Sequence, residues 1–212
     1  RDSRKYLGAD SMELIKALAQ KIYDTKILKA SSAQAELIRN FLASYDEDIL
    51  KNIYHVLPQC RKNLINAEVL DDDDFAVQWQ SFAYKGKAIG SDVPEFYTLK
   101  NEHVRSKTEK IIADMLFSRE IPYRYEAPVK LADGRIWYPD FIVLNIRTRQ
   151  EYILEHFGMM DDPEYSEMAL EKIQIYIQNS IFPGEDLIIS HETRNNPFST
   201  VAFDQIINHY FI

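Results

Sequence analysis

Two acidic residues stand in segments of the sequence that are otherwise strongly apolar. Asp140 lies in the run RIWYPDFIVLNI, and Glu155 lies in EYILEHF. An isolated carboxylate in a protein interior is costly or takes up a proton, and two that lie close together repel each other. A hard divalent cation removes that conflict, and Mg²⁺ suits one or two carboxylates combined with waters. The two acids therefore point to a metal site.

The residues around both acids predict β-strands. Successive side chains of a strand point to opposite faces. Residues 136–144 are apolar on both faces apart from Asp140, which is typical of a central strand. In 151–157 the same alternation places His156 on the face opposite Glu155. Each acid is thus expected on a buried strand, and both can approach one point.

A third acid and a lysine stand on the helices predicted to flank these strands. Glu109 shares a helical stripe with Arg105, an isoleucine and a leucine, so it is either a metal ligand or a surface residue paired with Arg105. Lys172 lies one turn before Tyr176, and taken alone a lysine at a helix edge usually faces solvent. The case for a site rests on four such residues occurring together in this order of elements.

The rest of the chain supplies the framework for these residues. Residues 99–212 predict the order α-β-β-β-α-β-α, with a mixed sheet of about four main strands in which 136–144 is central. Residues 1–98 predict a helical region, which ends near Gly86, Gly90 and Pro94. Its separate helices are expected over 10–28, 31–45, 46–57 and 71–86. The acidic run at 71–74 suits the positive end of a helix better than a metal, because consecutive residues do not face one point.

The charge distribution limits how the chain can meet a polyanion. Net charge is −8, and residues 151–212 carry two basic side chains against eleven acidic ones. A nucleic-acid coat protein should be basic. Any contact with nucleic acid is therefore expected to be local, on the 105–149 segment, or to be supplied by a partner. The plainer interpretation is an acidic surface exposed to water.

Cysteine content and hydropathy indicate the compartment. Cys60 is the single cysteine, so no internal disulfide can form and a reducing cytoplasm is the expected setting. No apolar run approaches the ~20 residues of a membrane span, and no signal peptide is evident. We therefore expect a cytoplasmic protein without a membrane partner.

The segments YPDF and YILEHFG, in this order of elements, resemble the PD-(D/E)xK nuclease superfamily. The nearest variant is that of the PDF…EHFG nuclease domains, which occur alone or fused to superfamily I helicases in bacteria. The resemblance covers about residues 100–195 and leaves the N-terminal helices unexplained. It implies a restriction-endonuclease-like αβββαβ core and hydrolysis of a phosphodiester with Mg²⁺ or Mn²⁺. DNA is the implied substrate, with RNA as an alternative.

The resemblance assigns roles to individual residues. Asp140 matches the motif aspartate, Glu155 matches the motif (D/E), and Glu109 matches the acid that many members place on the first helix. The motif lysine is missing, because Phe157 occupies its usual position. Some members carry this lysine on the following helix, where Lys172 stands. The expected catalytic set is therefore these three acids and Lys172.

Two further residues are expected at the edge of the site. The backbone carbonyl of His156 would reach the metal, while its ring supports the site or packs. Tyr176 could contact a phosphate, although packing in the core is its simpler role. The missing lysine leaves an alternative function, an inactive module of this fold that binds nucleic acid, a protein or a second copy in a larger bacterial assembly. Whether Lys172 reaches Asp140 and Glu155 separates the alternatives.

Overall fold

The computed structural model describes residues 11–46, 48–62, 64–87, 90 and 94–212. Within them the chain is a mixed α/β protein with a long N-terminal helix and a mixed sheet. It forms two compact units, Arg1–Val69 and Leu70–Ile212. The helix at 72–80 belongs to the second unit, where its Trp79 packs against Ile142 and Leu144 of the sheet.

Three helices make up the described part of the first unit: α1 (Met12–Ser44), α2 (Ile49–His55) and α3 (Gln59–Lys62). The two helices predicted over 10–28 and 31–45 are a single helix, since no glycine or proline interrupts the residues between them. None of the described residues of α1–α3 is buried. No helix in the described part of the chain is both long enough and apolar enough to cross a bilayer.

The second unit begins with α4 (Asp72–Gln80), whose first turn carries the acidic run. The Asp71 side chain caps the helix by accepting a hydrogen bond of 2.7 Å from the backbone N–H of Asp74. The prediction that these acids serve the positive end of a helix is confirmed. A short antiparallel pair follows, β1 (Phe96–Tyr97) with β2 (His103–Val104).

The remaining elements of the second unit are α5 (Lys107–Ser118), β3 (Tyr123–Tyr125), β4 (Val129–Lys130), β5 (Ile136–Trp137), β6 (Phe141–Asn145), β7 (Gln150–Phe157), α6 (Pro163–Gln178), β8 (Leu187–His191) and α7 (Thr200–Phe211). A four-stranded mixed sheet forms the centre of this unit, in the order β3-β6-β7-β8. Neighbours are antiparallel from β3 to β7, whereas β8 runs parallel to β7 and is reached through α6. The predicted mixed sheet flanked by helices is confirmed.

The prediction of one continuous strand over 136–144 is wrong in one respect, because the structure divides this segment into two strands. Its first part, β5, pairs with β4 outside the main sheet, and only β6 lies inside it. Pro139 has no N–H to donate to a ladder. The carbonyl of Asp140 instead accepts a hydrogen bond of 3.0 Å from the backbone of Glu126, a residue with φ of 44°. Asp140 is therefore held at the entry of β6, not within a strand.

Helices cover both faces of the sheet. One face packs against α5 and α7 through Phe141, Val143, Leu154 and Ile188. The opposite face packs against Trp79 of α4 and Tyr176 of α6 through Ile142, Leu144, Ile153 and Leu187. Because side chains alternate along β7, Glu155 joins Ile153 on the face covered by α6.

Candidate active site

Glu155 is the most deeply buried charged group of the site. The side chain has no exposed surface and lies on the face of β7 that α6 covers. Its Oε1 accepts a hydrogen bond of 2.5 Å from the Tyr176 hydroxyl, and its Oε2 accepts one of 2.6 Å from the Lys172 ammonium. Charges are buried in proteins when they are paired and hydrogen-bonded, and both conditions hold here.

Lys172 projects from α6 toward the sheet and reaches Glu155. Its side chain is 25% exposed, so the residue lies between the core and solvent and does not extend into water. Burial alone would lower the pKa of Lys172, but the negative charges of Glu155 and Asp140 outweigh it and raise that pKa. The group therefore remains an ammonium at neutral pH. The spatial condition set by the sequence, that Lys172 should reach the two acids, is met at Glu155.

Asp140 lies beside this pair and is partly buried. Its Oδ2 accepts a hydrogen bond of 2.8 Å from the backbone N–H of His156. Burial, and then the charge of Glu155, raise the pKa of Asp140 well above its ordinary value, while Lys172 and the hydrogen bond act in the opposite direction. The carboxylate form of Asp140 is thus disfavoured in the protein alone, and a bound cation would favour it.

His156 contributes its backbone to this site and its ring to the other face of the sheet. Ring Nδ1 lies 2.8 Å from Ser190 Oγ, and Nε2 lies 3.3 Å from Glu192 Oε1. Burial lowers the pKa of the imidazole. The N–H and C=O of one strand residue point to the same side, so the carbonyl of His156 is directed toward the edge where its N–H meets Asp140. The predicted orientation of the ring, away from Glu155, is confirmed.

Glu109 organises the start of α5. Its backbone N–H donates to Ser106 Oγ at 3.1 Å, and its carboxylate accepts from the backbone N–H of Arg105 at 2.9 Å and from the Tyr125 hydroxyl at 2.7 Å. This arrangement resembles a capping box. The Arg105 guanidinium binds Glu126, with its Nε 2.6 Å from Oε1.

The three acids do not converge on one point. The charge of Glu109 contributes to the raised pKa of Asp140, after burial and Glu155. However, carboxylate oxygens from Glu109, Asp140 and Glu155 do not all come within 4.8 Å of one another. The structure therefore brings together Asp140, Glu155 and Lys172, and it holds Glu109 in a neighbouring hydrogen-bonded cluster.

The groups at the centre of the site fit a hard divalent cation. Asp140 and Glu155 offer carboxylate oxygens, and each oxygen that accepts one hydrogen bond still has another lone pair. The carbonyl of His156, which strand geometry directs to the same side as its N–H, would add a third oxygen. Oxygen ligands of this kind suit Mg²⁺, which keeps several of its waters and needs few protein groups.

One residue of this region, Tyr165, was not predicted from the sequence. It stands on α6 seven residues before Lys172, so two helical turns place both side chains on one face. The Tyr165 hydroxyl accepts a hydrogen bond of 3.2 Å from the backbone N–H of Gly158, just after β7. The spacing was visible in the sequence, but only the packing of α6 over β7 shows that this face is the one turned to the acids.

Replacing Tyr176 with phenylalanine is expected to lower the free energy of unfolding by about 1.5–3 kcal/mol, because a buried carboxylate then loses a donor. Chemical denaturation should show a lower midpoint with an unchanged slope. Tyr138→Phe is the matched control, since Tyr138 is 36% exposed, and it should shift stability by less than about 0.5 kcal/mol. Equal effects of the two substitutions would contradict the role given to the Tyr176 hydroxyl.

Comparison with known proteins adds no relative to this picture. No protein-family model matches the chain, and no curated protein is similar to it in sequence. A function therefore has to rest on the contact between Lys172 and Glu155 and on the charge interactions of Asp140 with both residues.

Proposed function

We propose that this protein is a metal-dependent phosphodiester hydrolase, a nuclease that acts on DNA through a core of the restriction-endonuclease-like type. The observation that carries the proposal is the 2.6 Å contact between Lys172 and Glu155. This contact places a lysine ammonium beside Glu155 and near Asp140. The usual position of the lysine, on the same strand as Glu155, is occupied by the buried Phe157. The order of strands and helices around the site is consistent with the proposed core.

Each residue of the site has a defined part in this proposal. Asp140, Glu155 and the carbonyl of His156 would hold Mg²⁺ or Mn²⁺, an ion that lowers the pKa of a bound water and polarises a phosphoryl oxygen. Lys172 carries the positive charge that orients the attacking water and stabilises negative charge on the phosphoryl group. Tyr176 fixes the orientation of the Glu155 carboxylate through the hydrogen bond to Oε1.

Cleavage assays test the proposal directly. Purified protein is incubated with single-stranded, double-stranded and branched DNA, and with RNA, in Mg²⁺ or Mn²⁺. The wild type should cleave at least one DNA substrate, whereas Glu155→Ala should cleave none. Cleavage of RNA alone would change the substrate class. A wild type that cuts nothing would favour the alternative, an inactive module of this fold that binds a partner.

Metal binding is a separate prediction. Calorimetric titration of the wild type with Mn²⁺ or Mg²⁺ should show binding that Asp140→Ala removes, because the substitution deletes a carboxylate ligand. A cation that binds only the folded state also raises stability, by about 2.7 kcal/mol at 100 times its Kd. Asp133→Ala, which removes an exposed acid on a turn, should titrate like the wild type. Identical titrations of wild type and Asp140→Ala would refute the site.

A further inference from the structure

Among the described residues, the Tyr165 hydroxyl takes part in a protein hydrogen bond only as an acceptor. The group accepts a hydrogen bond from Gly158, and its own hydrogen meets no protein acceptor among the described residues. Tyr176 differs, since its hydroxyl donates to Glu155. A phenol hydroxyl both donates and accepts. The unused donor of Tyr165 is thus available to a ligand.

Tyr165 lies on the same face of α6 as the residues that contact Glu155. Lys172 and Tyr176 contact Glu155 from one face of α6, and Tyr165 lies on that face two turns earlier, over Gly158 at the end of β7. Helix and strand run in opposite directions here, so Tyr165 stands at the end of the site where β7 leaves the sheet. The residue is partly exposed, and solvent or a ligand can reach it.

The electrostatic surroundings agree with this position. Burial, and the charges of Asp140 and Glu155, raise the pKa of Tyr165, while Gly158 and Lys172 lower it. The hydroxyl is thus close enough to respond to all three charged residues. It stays protonated at neutral pH and remains a hydrogen-bond donor, which favours an anionic oxygen as its acceptor.

We propose that Tyr165 is a substrate-binding residue, whose hydroxyl donates a hydrogen bond to a non-bridging oxygen of the phosphate next to the one that Lys172 faces. The proposal rests on the nuclease function proposed above. Seven residues of helix span about 10 Å along the axis, so Tyr165 reaches a neighbouring phosphate and not the scissile one. The site thereby gains a second contact along a nucleic-acid strand.

The test compares Tyr165→Phe with the wild type in binding and in cleavage. Binding of a fluorescently labelled single-stranded DNA oligonucleotide is measured by anisotropy with Ca²⁺ in place of Mn²⁺. Loss of a hydrogen bond to a charged group should weaken binding about 10-fold or more. In Mn²⁺ the KM should rise by a similar factor while kcat changes little. Tyr210→Phe is the matched control, because its hydroxyl has one backbone partner, the Gly184 carbonyl at 3.2 Å, away from the acids.

The outcomes separate this inference from the proposed function. If the wild type binds the oligonucleotide but does not cleave any substrate, the nuclease proposal fails and the binding arm alone decides the role of Tyr165. If the wild type cleaves and Tyr165→Phe matches it in both Kd and KM, only the role of Tyr165 is refuted. A lower melting temperature with unchanged binding would likewise show that the hydroxyl merely supports Gly158. A wild type that neither binds the oligonucleotide nor cleaves any substrate would refute both.

Discussion

Replacing Lys172 with glutamine is expected to lower the rate of DNA cleavage about 100-fold or more, because the substitution removes a positive charge that stabilises the transition state. Glutamine is preferable to alanine at this position. Alanine would leave the fully buried Glu155 without its ion-pair partner, and such a loss costs about 3–5 kcal/mol. The amide of glutamine still donates a hydrogen bond to Glu155, which helps the variant to fold.

Single-turnover cleavage at saturating Mn²⁺ measures the effect, and circular dichroism verifies that the variant is folded. Glu171→Gln serves as the control, since Glu171 is exposed and adjacent to Lys172 on α6. It should cleave like the wild type. A folded Lys172→Gln enzyme with full activity would show that Phe157 marks a true loss of the catalytic lysine, and that Lys172 only neutralises Glu155.

Replacing Asp140 with asparagine is expected to have opposite effects on stability and on metal binding. Metal binding should be lost with the carboxylate. The metal-free protein should become more stable at neutral pH, because a carboxyl group whose pKa is raised by folding costs stability once it ionises. The physical reason is that burial and Glu155 penalise the charged form of Asp140, whereas an amide carries no charge and its oxygen still accepts from His156.

The pH dependence of this difference has a definite sign. The pKa of Asp140 is higher in the folded than in the unfolded protein, so between the two values the folded state binds more protons. The stabilising contribution is complete below the unfolded pKa, near 3.9, and is lost as pH rises through the folded pKa. Asparagine does not titrate, so the variant does not lose stability in this way as pH rises. The two proteins should therefore have similar stability in acid, and the variant should gain its advantage as pH rises.

Denaturation curves of both metal-free proteins between pH 4 and 8 measure this difference. Added Mn²⁺ should reverse the order at neutral pH, because it stabilises only the protein that binds it. Asp133→Asn is an informative control: hydrogen bonds from Arg135 lower the pKa of Asp133 to about 2, so the same substitution there should not stabilise. A metal-free Asp140→Asn protein that is less stable than the wild type throughout this range would contradict our account of Asp140.

Local patterns predicted several elements of the site correctly. The apolar alternation in 151–157 predicted β7 and placed Glu155 and His156 on opposite faces, because side-chain direction along a strand follows from backbone geometry alone. Helical spacing placed Lys172 and Tyr176 on one face of α6 for the same reason. The chain order of helices and strands predicted the mixed sheet, since the helix between β7 and β8 permits a parallel crossover.

Other features depend on contacts between residues that are distant in sequence, and only the tertiary structure decided them. At the break before β6, the Asp140 carbonyl accepts a hydrogen bond from Glu126, a residue of another segment. Glu109 lay on an apolar helical stripe, yet it is held by Tyr125, a partner that spacing within one helix cannot reveal.

The sequence by itself determined which residues carry charge into the apolar core and which face of its own element each one occupies. Only the tertiary structure decided which of those faces meet. It brought Lys172 and Tyr176 to Glu155 and Asp140 to His156, and it left Glu109 apart. The physical reason is that periodicity follows from local backbone geometry, whereas the pairing of faces depends on the packing of whole elements around a shared core.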